Sequence, residues 1–139
     1  RSLTHSEPLD DFIQRYGVAS PLIRDWFATF GPEALRAWAA GLGIETFIGS
    51  SGRVFPLDMK AAPLLRAWLQ RLRDQGVEFC MRHQWQGWNA AGALQFTSPG
   101  GSVVCEPKAT LLALGGASWP KLGTRGDWTS YLSERQIRM

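Results

Sequence analysis

Cysteine and histidine are scarce in this chain, with two of each among 139 residues. Cys80 and Cys105 form no CxxC pair, and together with His5 and His83 they match no zinc spacing. That excludes a recognisable redox motif or structural metal centre. Both thiols stand in strand-like segments beside apolar residues and are expected to be buried and free. Charge is thin as well: 15 Lys and Arg against 12 Asp and Glu leave a net charge of +3. No dense basic patch with interleaved aromatics exists, so nucleic acid is not an expected partner and the arginines read as ordinary solvated side chains. No run is long enough to span a membrane and no signal-peptide pattern is present, so no membrane partner is expected and cytoplasmic residence follows by default.

Phosphate loops and nucleophile motifs are also missing. Gly41-Leu42-Gly43 continues as Ile44-Glu45-Thr46, without the third glycine of GxGxxG, and reads as a helix C-cap. The Gly115–Gly126 stretch matches neither that fingerprint nor a P-loop. Gly49-Ser50-Ser51-Gly52 is not GxSxG, so a hydrolase built on Ser51 or His83 has no motif behind it. Asp10-Asp11 decorates a helix start rather than forming a carboxylate pair. Arg125-Gly126-Asp127 is a tripeptide of chance frequency.

What is present is apolar and aromatic. Hydrophobic residues make up 45% of the chain, with seven Trp and seven Phe. This suits one domain over 1–139 with a real core. Residues 7–43 read as a helical subregion of three short helices, opened by Pro8, by Ser20-Pro21 with Ser20 as N-cap, and by Pro32. Residues 44–126 form the strand, helix and meander core. Glu45–Ile48 and Arg53–Pro56 are strands around a tight glycine loop. Lys60–Gln75 is a helix with Leu64, Leu65, Trp68, Leu69 and Leu72 on one face, ended by Gly76. Val77–Met81 is a strand, and Gln84–Trp88, Ala93–Thr97 and Ser102–Glu106 form an antiparallel meander. Strict alternation puts Trp85 and Trp88 on opposite faces and Leu94 and Phe96 on one. Ala109–Leu114 is apolar on both faces, as a buried central strand would be, and runs into Gly115-Gly116, where a ligand would sit at a strand's carboxyl end. Residues 127–139 hold a short terminal helix. The fold class is α+β.

Four segments, taken together, carry a family resemblance: Leu3-Thr4-His5-Ser6; Gly52-Arg53-Val54-Phe55-Pro56 with Lys60; Leu111–Pro120; and Leu122-Gly123-Thr124-Arg125-Gly126-Asp127. In this order and spacing the chain resembles the bacterial NAD(P)/FAD-dependent oxidoreductases of the BaiN and aminoacetone-oxidase-like group, over essentially its whole length. The resemblance implies a middle portion of an α/β flavoprotein with two dinucleotide-binding domains. The GxGxxG unit would precede Arg1 and a further segment would follow Met139, so the missing amino- and carboxyl-terminal parts of the same chain are expected partners. It implies FAD as cofactor, with NAD(P)H possible as electron donor, and a small-molecule substrate of unspecified kind. The cofactor-binding residues carried over are Thr4, His5, Arg53, Val54, Phe55, Pro56, Gly115 and Gly116. Arg53 would stabilise negative charge on reduced flavin or substrate. Two departures stand out: Leu114 occupies the place of a Thr in the family's Ala-Thr-Gly-Gly, and Trp128 that of the last Gly in Gly-Asp-Gly. Residues 1–139 alone are expected to hold FAD weakly or not at all. The alternative is a small α+β binding module, without catalytic activity, that docks a partner through exposed Trp side chains.

Overall fold

Pro8, Pro21 and Pro32 each sit at the opening of a helix, where a missing amide hydrogen costs nothing. The computed structural model describes residues 2–116 and 126–137, and its contacts divide the chain into two units, Arg1–Glu78 and Phe79–Met139. In the first unit, helix α1 (Leu9–Gln14) carries Asp10 and Asp11 in its first turn, favourable with the helix dipole. A 3-10 turn at Gly17–Ala19 leads into α2 (Ser20–Phe30), and Gly31 separates it from α3 (Pro32–Ala40). Ser20 lies inside α2 rather than capping it. Its hydroxyl donates to the Ile13 carbonyl, 2.9 Å away, so the side chain that would cap α2 instead ties α2 to α1. Phe12, Tyr16 and Phe27 pack as a three-ring cluster with centroids 5.6–6.1 Å apart, and Ile13 is buried beside them.

The strands of this unit are short: β1 (Thr4–His5), β2 (Thr46–Ile48) and β3 (Arg53–Pro56). They make one antiparallel sheet in the order β1-β3-β2. Val54, in the central strand, is fully buried. Helix α4 (Ala62–Asp74) follows and ends as the sequence indicates. The Val77 amide donates to the Leu72 carbonyl and the Gly76 amide to that of Arg73, both at 2.9 Å, with Gly76 at φ +83. A Cβ on Gly76 would meet nothing within 4 Å, so Gly76→Ala isolates the backbone term. We expect it to cost about 1 kcal/mol, read from the urea midpoint of unfolding.

The apolar face of α4 is not the buried one its spacing predicts. Leu65 and Trp68 are exposed, and Trp68 is covered on one side by an edge-to-face contact with Trp38 at 5.1 Å. An amphipathic stripe is buried only where another layer lies against it. Leu22, Trp26 and Phe30 on α2 are likewise exposed.

In the second unit, β4 (Gln84–Trp88), β5 (Leu94–Ser98) and β6 (Gly101–Cys105) form the expected meander. Asn89 shapes the first turn by accepting the Ala91 and Ala93 amides at 3.0 and 2.9 Å. Trp85 pairs with Phe96 and Trp88 with Leu94, so three residue steps on β4 face two on β5. This bulge overturns the strict alternation. The two indoles share a face and meet edge-to-face at 4.8 Å. Helix α5 (Trp128–Glu134) packs on β4, where Tyr131 contacts Trp85 at 5.4 Å and its hydroxyl donates to Gln86 Oε1 at 3.1 Å.

Three further expectations are corrected. Val77–Met81 forms no strand, because the Val77 amide is spent on the end of α4 and Met81 enters a turn before Arg82 at φ +58. Ala109–Leu114 forms no strand and is not buried. Leu111 is 92% exposed, because no described strand lies beside the segment to complete a ladder. Cys80 and Cys105 are both exposed, the first because its strand does not form, the second because β6 is an uncovered edge. Ala117–Arg125, part of two motifs that carried the resemblance, lies outside the described residues.

Candidate functional site

β3 brings the first two resemblance motifs together. Thr4 pairs with Val54 and His5 with Arg53 across the antiparallel ladder, so residues nearly fifty positions apart become cross-strand neighbours. The turn between β2 and β3 makes this possible. The Gly49 amide donates to the Arg53 carbonyl at 2.8 Å and the Gly52 amide to the Gly49 carbonyl at 2.9 Å. The end of β1 is then bound to that turn by the Ser6 amide, which donates to the Gly52 carbonyl at 2.8 Å.

The imidazole of His5 lies against Gly52. A Cβ there would come within 2.6 Å of His5 Cε1, and Gly52 holds φ +75, so glycine is required for two reasons. His5 Nε2 is 3.0 Å from the Ser51 carbonyl, and the Glu7 amide donates to Nδ1 at 3.1 Å. Glu7 continues the network. Its Oε2 pairs with Arg15 at 2.7 Å, while its Oε1, buried and without a hydrogen bond among the described residues, stands 3.5 Å from His5 Nδ1. A cavity of about 240 Å³ opens beside His5 and Glu7, walled by Phe27 and the start of α3.

The expected site residues thus divide. Arg53 is exposed, and among the described residues its guanidinium has no hydrogen bond or ion pair. Phe55 is half-buried and its ring lies 5.9 Å from that of Phe47, a neighbour that sequence reasoning missed although both alternate on adjoining strands. Val54 and Pro56 are buried, and their carbonyls already accept the Leu3 and Met59 amides at 2.8 and 2.9 Å, so the structure turns both into core positions rather than ligand contacts. Gly115 and Gly116 belong to the second unit. Gly115 has φ +70, and among the described residues a Cβ on Gly116 would meet nothing within 4 Å. Among the described residues no group of His, Cys, Asp and Glu is placed to hold a metal ion. Lys60 lies in the loop between β3 and α4 rather than in the helix, its amide donating to Asp58 Oδ1 at 3.0 Å.

The architecture is mixed α+β, with two small antiparallel sheets, and the central strand of the first carries the exposed Arg53. The model for the HI0933-like protein Rossmann domain matches residues 2–139. The chain belongs to this family of FAD-dependent flavoprotein oxidoreductases. No curated protein matches it. Among the described residues no helix is long and apolar enough to cross a membrane.

Proposed function

We propose that this chain forms part of the FAD site of an oxidoreductase, with Arg53 facing the anionic part of the cofactor or of a small-molecule substrate. The observation that carries the reading is the exposed, unpaired Arg53 guanidinium on a strand whose start is fixed by the Gly49–Gly52 turn. A surface arginine without a carboxylate partner is free to make charge-assisted, bidentate contacts to phosphate or carboxylate. Gly115 and Gly116 offer backbone amides without a Cβ in the way. The bound flavin would supply the electron transfer, and the protein residues supply position and charge. The remaining partners in this reading are a small-molecule substrate and the rest of a longer flavoprotein chain.

The full-length protein is expected to purify with flavin absorbance, and Arg53→Ala is expected to raise the Kd for FAD about tenfold or more, the worth of one hydrogen bond to a charged group. A colourless full-length protein that ignores added FAD would sink the reading. A second reading, a non-catalytic docking module, draws on the exposed Leu22, Trp26 and Phe30 of α2 and predicts that colourless outcome.

A further inference from the structure

We propose that His5 is a positioning residue that sets Arg53, and not itself a ligand of the cofactor, an inference that rests on the FAD reading above. The partners of the ring decide its chemistry. The Glu7 N–H donates to Nδ1 at 3.1 Å, while Glu7 Oε1, 3.5 Å away, makes no hydrogen bond to it, so Nδ1 carries a lone pair and no proton. The Ser51 carbonyl can only accept, so the proton sits on Nε2, which donates to it. His5 is thereby held as the Nε2–H tautomer with both nitrogens occupied, and no ring nitrogen is left for a bound molecule.

What the clamp holds is the turn that launches β3. Ser51 and Gly52 are the last two residues before Arg53. One is gripped by the imidazole through its carbonyl, and the other lies under the ring, where no larger residue fits. Arg53 is also the direct cross-strand partner of His5. Moving the ring therefore moves the start of β3 and with it the free guanidinium. Glu7 holds the ring from the other side and is itself anchored by Arg15.

Long-range proton–nitrogen NMR on histidine-labelled protein tests the tautomer, and the signal lost in His5→Gln is that of His5. We expect a proton on Nε2 and none on Nδ1 of His5, and the opposite tautomer would overturn the proposal. Binding of FAD to the full-length protein tests the positioning. His5→Ala is expected to raise the Kd about tenfold, the upper end for one neutral hydrogen bond. His5→Gln, whose amide can donate to the Ser51 carbonyl, should stay within about threefold of the unmodified protein. With Arg53→Ala already present, His5→Ala should add almost nothing, because its effect runs through Arg53. Additive losses, or a Gln variant as weak as the Ala variant, would show a direct contact and overturn the proposal. If the unmodified protein binds no FAD, the flavin reading fails. The positioning of the turn is then judged by hydrogen exchange of the Gly52 amide, expected to quicken in His5→Ala and not in His5→Gln. Equal rates in the two variants would overturn it.

Discussion

Gly52→Ala is expected to destabilise the protein by about 2–5 kcal/mol, the sum of a left-handed backbone penalty and overpacking against a fixed ring. The site has φ +75, where an L side chain is strained, and the new methyl would stand 2.6 Å from His5 Cε1. A flexible side chain would swing away. His5 cannot do so without giving up its contacts to the Ser51 carbonyl and the Glu7 amide. The methyl therefore pushes β1 off β3 or forces open the Gly49–Gly52 turn. Urea unfolding measures the loss, and a His5→Ala background separates its parts. With the ring removed, Gly52→Ala should cost only the backbone share, about 1–2 kcal/mol. An equal cost in both backgrounds would show that the ring and the glycine do not oppose one another.

Val54→Asp should do still more damage, at least about 3–5 kcal/mol, because it leaves a carboxylate buried without a partner. Val54 has no exposed surface and is the middle residue of its sheet, paired with Thr4 on one side and Ile48 on the other. Its displacement disturbs both flanking strands at once. Since whole domains are stable by only about 5–15 kcal/mol, a large loss of protected amides in β1, β2 and β3 is the expected result, read by hydrogen exchange. Val54→Asn, polar but uncharged, should fall short of that loss. Protection in the Asp variant equal to that of the unmodified protein would mean that the residue is not the core position described.

The two variants probe different halves of what the sequence conveys. Local signals translated well: the proline-led helix starts, Gly76 at the end of α4, and the turns of the meander depend on backbone chemistry within a few residues. Signals that depend on a covering layer did not. The apolar stripe of α4 and the run Leu111–Leu114 have the pattern of buried elements, yet Leu65, Trp68 and Leu111 stand exposed, because patterning states which face can be buried and not what lies against it. The bulge between Trp85 and Trp88 is a third kind of case. Adding one residue to a strand reverses the facing of everything beyond it, so a periodicity argument fails without local warning.

By itself, then, the sequence determined the short helices, the β2–β3 turn and the residue types of a family motif, since each is encoded by neighbours in the chain. Only the tertiary structure decided that Val54 and Pro56 are core, that Arg53 is free, and that both nitrogens of His5 are spent on Ser51 and Glu7. These depend on β3 pairing with β2 on one side and, on the other, with β1, nearly fifty residues away. Burial and hydrogen-bond partnership are properties of that pairing rather than of either segment alone.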